Sequence, residues 1–268
     1  MIIDSHLHLP PVGDSKDFKK AKGELISEMA RAGIDYAVVI PDNIQGSDIG
    51  DLGTVLGLVE DEPRLFALGA IDVKKQGADW LDKLDKHLKE GKIKGIKIFP
   101  GHEPIYPTDE RYKPLYKLCS KYDYPVVVHT GANSDDSGAV KYNDPKHIVE
   151  VAKDFPKLKV VIAHYFWPQV EYCFEVTKRY DNIFYDTSAL ADKEVLEKTG
   201  EEEVKNVLEK TLANDSQNVL FGTDFSICDC EAHLDLVDSL DISESVRERV
   251  LWKNASDVFN LDQISELQ

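Results

Sequence analysis

Cysteine is scarce in this 268-residue chain: Cys119, Cys173, Cys228 and Cys230 are the four present, and their scatter does not resemble a disulfide framework. A chain of this length does not need one, because it can bury a sizeable core unaided. Positive charge is also short. Against 49 aspartates and glutamates stand 32 lysines and arginines, a formal net charge of −17. That balance excludes a general surface for nucleic acid or anionic membrane; solubility is the plainer reading of the acid excess, since a cleft can differ in sign from the whole. No apolar run approaches the length of a membrane span. The opening MIIDSHLHL has no basic segment followed by a long apolar stretch, so no signal peptide and a reduced, cytoplasmic setting are expected. No Pro/Gly/Ser linker, low-complexity segment or charge-dense tail divides the chain, which reads as one domain over 1–268.

What the chain does contain is alternation. Eight short apolar runs read as strands, at 1–9, 35–41, 64–71, 93–100, 125–131, 159–166, 183–188 and 219–226. Helical spacing fills the gaps. DFKKAKGELISEMARAGI places Leu25, Ile26, Met29 and Ala30 on one face before Gly33, and ADWLDKLDKHLKEGKI does the same with Trp80, Leu81, Leu84 and Leu88 before Gly91. In DPKHIVEVAKDFPKL, Asp144 reads as an N-cap with Pro145 at the first helical position. The charged stretch DKEVLEKTGEEEVKNVLEKT keeps apolar spacing at Val195, Leu196, Val204 and Leu208, and reads as a solvated helix. Nearly all-apolar strands alternating with helices indicate a parallel sheet covered by helices. An open doubly wound sheet fits the alternation, but eight units in about 250 residues match a (β/α)8 TIM barrel well.

In such a barrel, chemistry sits where strands end and the following loops begin. The polar residues there are Asp4, His6 and His8 on the first strand, Lys97 on the fourth, His129 on the fifth, His164 on the sixth, Asp186 on the seventh and Asp224 on the eighth. Residues two apart in a strand share a face, so His6 and His8 are expected to point into one environment, with Asp4 on the same side. A lone buried histidine is usually a satisfied core residue. Four of the chain's eight histidines at strand ends are harder to explain that way, and a metal ion would satisfy several at once.

DSHLH on the first strand, HTG ending the fifth, AH ending the sixth and GTDF ending the eighth resemble the amidohydrolase superfamily of metal-dependent TIM-barrel enzymes. LISEMARAGIDYAVVIP, GIKIFPG with DERYKPLYKLC, YPVVVHTG, NIFYDTSA, NVLFGTDF and VLWKNASDVFNL resemble its amidohydrolase-2 group, the branch of aminocarboxymuconate-semialdehyde decarboxylase and related aromatic-acid decarboxylases. The similarity runs over almost the whole chain.

The resemblance implies His6, His8, His129 and Asp224 as metal ligands. Zinc is the first expectation, with manganese, iron or cobalt compatible with the same donors, and one ion favoured over two. It implies Asp224 as the proton acceptor and donor, and His164 as the hydrogen-bond donor to a substrate carbonyl or developing oxyanion. Lys97, Trp167, Phe166 and Asp186 are expected at the substrate. For Lys97 a carboxylated metal bridge and a plain pair with Asp186 remain alternatives; His102 reads as an anion contact and Arg111 as part of a helix start. Cys228 and Cys230 read as buried structural residues, and His87, His147 and His233 as surface or packing residues.

The implied reaction is hydrolysis of a C–N or C–O bond, as in an amide or lactone, by attack of metal-bound hydroxide on a small molecule. Non-oxidative decarboxylation of an aromatic or unsaturated carboxylic acid is the alternative. A TatD-like metal-dependent nuclease also begins with H-x-H, but GIKIFP stands where that group carries a glutamate, so no nucleic-acid partner is expected. No membrane partner is expected either; the barrel's outer helices offer surface for a homodimer.

Overall fold

Each of the eight apolar runs contains strand, and every pairing between strands is parallel. The structure, a computed structural model, describes residues 1–75, 77, 79–132 and 138–261. The strands are β1 (Ile3–Leu7), β2 (Tyr36–Val39), β3 (Leu65–Ala67), β4 (Gly69–Ala70), β5 (Ile96–Ile98), β6 (Val126–His129), β7 (Val160–Ala163), β8 (Ile183–Asp186) and β9 (Val219–Leu220). The run 64–71 supplies two of them. Leu65–Ala67 pairs with β2 and Gly69–Ala70 with β5, so one barrel strand is shared between a three-stranded and a six-stranded sheet.

The two ends of the sheet meet at a seam between the first and last strands. Ser5 N donates to Phe221 O at 2.9 Å, Asp224 N donates to His6 O at 2.8 Å, and Leu7 forms a parallel bridge with Phe225. The chain is therefore an α/β protein with a (β/α)8 TIM-barrel fold, and the strand-end residues converge on one mouth.

The covering helices are α1 (Phe18–Ala32), α2 (Leu52–Val59), α3 (Trp80–Lys89), α4 (Lys113–Tyr122), α5 (Pro145–Asp154), α6 (Val170–Thr177), α7 (Lys193–Thr199), α8 (Glu201–Asn214), α9 (Cys230–Asp238), α10 (Glu244–Glu248) and α11 (Asn254–Phe259). Their starts are set by side chains that accept otherwise unpaired amides. Asp17 accepts from Lys20 N, Asp51 from Thr54 N and Asp144 from Lys146 N, each at 3.0 Å; such caps contribute about 1 kcal/mol apiece. Gly33 ends α1 at φ 72°, a conformation other residues adopt at a cost. The charged stretch is helical, as expected, but falls into two helices at Gly200.

Alternation along the strands divides the core. Val126, Val128, Val160 and Ile162 pack outward against the helices, in one cluster with Leu25, Leu84 and Ile148. Val127 and Val161 point inward and pack with Ile3, Val38 and Leu220 against Ala255, Val258 and Phe259 of α11. The inward set that carries Val127 ends in His129, which places the imidazole at the barrel mouth.

Candidate metal centre

The register of β1 shifts between Asp4 and Leu7, so the strand does not alternate strictly through the histidines. Asp4 consequently does not join them. Its Oδ1 accepts from His6 N at 3.0 Å and Thr223 N at 3.1 Å, and its Oδ2 accepts from Thr223 Oγ1 at 2.6 Å. It ties β1 to the segment after β9 across the barrel seam. Burial pushes its carboxyl up to about 7, with the hydrogen bonds from Thr223 and His6 opposing that rise.

His6 and His8 meet at Asp224. His6 Nε2 lies 3.6 Å and His8 Nε2 3.4 Å from Asp224 Oδ1. One ligand atom each of His6, His164 and Asp224 lie within 4.8 Å of one another, all three residues being buried. His129 stands beside them, its ring centroid 4.9 Å from that of His164. Its Nε2 and Asp224 Oδ1 are both buried without a hydrogen-bond partner among the described residues.

The outer hydrogen bonds decide what the imidazoles present. His8 Nδ1 is 2.9 Å from Ile40 O, which only accepts, so Nδ1 carries a proton and, in the neutral ring, Nε2 a lone pair. His6 Nδ1 is 2.7 Å from Asp186 Oδ2, which fixes the same tautomer. Ser188 Oγ donates to Asp186 Oδ1 and so accepts from His164 Nδ1 at 2.8 Å. All three rings thus turn an Nε2 lone pair toward the mouth. His8 Nε2 faces Asp224 Oδ1, acceptor against acceptor, and only a positive charge between them makes that contact favourable. Nδ1 held by a carboxylate or carbonyl with the Nε2 lone pair turned outward is the arrangement of metal-ligating histidines.

Burial lowers the imidazole pKa values further. His6 is lowered, with the Lys97 charge adding to the effect; His129 is held well below its ordinary value, and His164 is pushed down to about 3. Burial acts the other way on Asp224, but the surrounding imidazoles, His164 foremost, hold its carboxyl well below the usual range. His6, His129 and His164 therefore stand as neutral imidazoles beside an ionised Asp224, the protonation states a divalent cation requires.

His164 and Asp224 both have left-handed backbones, with φ of 62° and 63°. Non-glycine residues take this conformation only when their surroundings impose it. Asp186 Oδ1 accepts from His164 N at 3.0 Å, and Asp224 N is held by His6 O. Gly222 allows the close approach: a Cβ there would lie 3.0 Å from His6 Cβ.

Of the four residues expected at the substrate, Asp186, Phe166 and Lys97 do not line the cleft. Asp186 is buried, and both its oxygens are engaged with His6, His164 and Ser188, so it orients ligands. Phe166 packs into the core, with its amide on Thr130 Oγ1 at 2.8 Å. Lys97 is 1% exposed, and its Nζ lies 3.2 Å from His6 Nε2, where it donates to the lone pair an ion would use. Burial pushes its ammonium pKa down to about 8. Trp167 does line the mouth, a cleft of about 290 Å³ bounded also by His102, His129, His164 and Asp224.

Asp192, Glu194 and Ile227 line the same cleft and were not singled out in the sequence. Their positions in the loops after the seventh and eighth strands were the available signal. Cys228 and Cys230 are buried and free, and His233 is packed with Nδ1 on Asp229 O at 2.7 Å. Arg111 pairs with Asp109 at the start of the helical turn before α4.

A family model described as Amidohydrolase matches residues 3–261. No curated protein sequence matches the chain. Among solved structures, an uncharacterized TIM-barrel protein from Bordetella bronchiseptica is 24% identical with TM-score 0.77, covering 97% of this chain and 98% of its own. A probable 2-pyrone-4,6-dicarboxylic acid hydrolase from Acinetobacter baumannii, with citric acid bound, is 14% identical with TM-score 0.70, covering 97% and 99%. A 5-carboxyvanillate decarboxylase from Novosphingobium aromaticivorans, complexed with manganese and 4-hydroxy-3-methoxy-5-nitrobenzoic acid, is 14% identical with TM-score 0.67, covering 97% and 96%.

Proposed function

The chain belongs to the amidohydrolase family, and from that premise we propose that it is a metal-dependent hydrolase cleaving a C–N or C–O bond, such as an amide or lactone, of a small molecule. The observation that carries the metal is His8 Nε2 against Asp224 Oδ1 at 3.4 Å, in the tautomer that Ile40 O imposes. A divalent ion would satisfy His6, His8, His129 and Asp224 together, and His164 lies close enough to act as an alternative ligand. The residues fit one ion, and zinc or manganese suits the N/O donor set. When bound, the ion polarises the substrate oxygen and acidifies the attacking water.

The chain's own groups supply the rest. Asp224 would give Oδ1, which faces His6 and His8, to the ion, and with its other oxygen accepts the proton released by the attacking water and returns it to the leaving group. His164 lines the cleft with Nε2 unprotonated while Nδ1 is held by Ser188, so it meets a donor group of the substrate. Asp186 holds His6 by its side chain and His164 by its backbone, so neither has to reorganise during the reaction.

Decarboxylation is the second reading, supported by the structural similarity to a decarboxylase complexed with manganese. The two reactions separate on products. Protein loaded with zinc or manganese is assayed against lactones, amides and aromatic carboxylates in 18O-labelled water. Hydrolysis incorporates the label into the product, whereas decarboxylation releases CO2 and incorporates none at the broken bond. Chelated protein with full activity overturns the metal-dependent reading, and two ions per chain overturns the single-ion assignment.

A further inference from the structure

The far wall of the cleft differs in character from its imidazole floor. Trp167 and Ile227 present apolar surface, and Ile227 is 74% exposed at the rim. A large aliphatic side chain that far into solvent gains nothing from folding, and becomes favourable when something apolar covers it. Its position is fixed from the site: Ile227 N donates to Asp224 O at 2.9 Å, so the turn that carries the carboxylate also carries the isoleucine.

The remaining rim is acidic. Asp192 and Glu194 line it at the start of α7. Lys198 Nζ pairs with Glu194 at 2.6 Å and lies 5.5 Å from the Trp167 ring centroid, which offsets one carboxylate. Asp192 has no cationic partner among the described residues. No lysine or arginine is among the described residues lining the cleft, and residues 133–137 contain none in sequence.

We propose that this rim selects substrates whose non-reacting end is apolar and uncharged, with Ile227 and Trp167 covering that end and Asp192 and Glu194 disfavouring a carboxylate there. The inference rests on the metal-centred reading above, because the metal site defines which end of the substrate is held. It sets this site apart from one built for a dicarboxylate, where the second anionic group requires a cation at the rim.

Hydroxamates chelate metal ions without being turned over, so a matched pair tests the rim by binding alone. Full-length protein loaded with manganese is titrated calorimetrically with benzohydroxamate and with 4-carboxybenzohydroxamate. The uncharged compound is expected to bind about tenfold tighter, since a like charge at the rim is repelled and unpaired. Ile227→Lys is expected to lower that ratio by about fivefold or more, and Ile227→Leu to keep it, by exchanging or preserving the apolar cover. Equal or tighter binding of the carboxylated compound by native protein overturns the inference while leaving the metal reading intact. An unchanged ratio in Ile227→Lys overturns it as well. Failure of both compounds to bind overturns the metal-centred reading and this inference with it.

Discussion

At the scale of single residues, His129 separates ligand from core. Its Nε2 is buried with no hydrogen-bond partner among the described residues, so removing the ring breaks no such bond at that atom. His129→Ala is expected to change metal-free stability by about 1–2 kcal/mol, the cost of lost packing alone. Bound metal and turnover should both disappear, as read by elemental analysis and activity. A variant that keeps one ion per chain and full activity removes His129 from the site. Asp186 is argued differently, since it acts through His6 and His164. Asp186→Asn keeps the shape but removes the charge that holds His6 Nδ1–H at 2.7 Å. Metal affinity should fall roughly 10–100-fold in a titration, with the fold intact by circular dichroism. The sequence showed the imidazoles and carboxylates by their places at strand ends. It could not show that Asp186 faces the His6 ring nitrogen and the His164 amide rather than substrate, because that depends on loop backbone at His164 and on a serine two residues downstream.

At the scale of elements, the strands were legible because buried parallel strands are apolar along their whole length, and the helices because caps and spacing coincide at α1, α3 and α5. The divided run at 64–71 was not, since pairing with β2 on one side and β5 on the other leaves no mark on its composition. Nor were the contacts between loops. Glu103 follows β5, accepts a hydrogen bond from Asn43 beyond β2, and lies 3.4 Å from Tyr112 OH before α4. Burial, with the Asp72 charge adding to it, pushes the Glu103 carboxyl from 4.5 up to about 7. A raised pKa means that the folded state holds the proton more tightly than the unfolded chain. Glu103 therefore stabilises most below pH 4.5, and that contribution is lost as the pH rises toward about 7. The loss is on the order of 3 kcal/mol. Glu103→Gln should gain stability relative to the native chain as the pH rises from 4.5 to 7, measured by urea denaturation of metal-free protein at each pH. A constant difference between the two proteins across that range contradicts a buried, proton-holding Glu103.

At the scale of the whole molecule, the candidate metal centre and the barrel seam are one structure. β1 and β9 are the first and last strands, and β9 is two residues long. Their junction relies on Ser5 with Phe221, His6 with Asp224, and the Asp4–Thr223 hydrogen bonds. His6 and His8 come from one side of that seam and Asp224 from the other, so an ion held by them closes the barrel across it. Family resemblance in the sequence implied the ligands, but the seam itself was invisible there, because it is made of backbone carbonyls and amides 215 or more residues apart. At a free metal concentration a hundred times its dissociation constant, binding adds about 2.7 kcal/mol to stability. That corresponds to a rise of several degrees in Tm, reversed by a chelator. The gain should also be local: hydrogen exchange of the Ser5 and Asp224 amides should slow on loading by a larger factor than that of the Phe66 and Ala67 amides of β3, a strand that carries none of the proposed ligands. Stabilisation spread evenly over all strands, or no change at Ser5 and Asp224, would place the ion elsewhere than between β1 and the loop after β9.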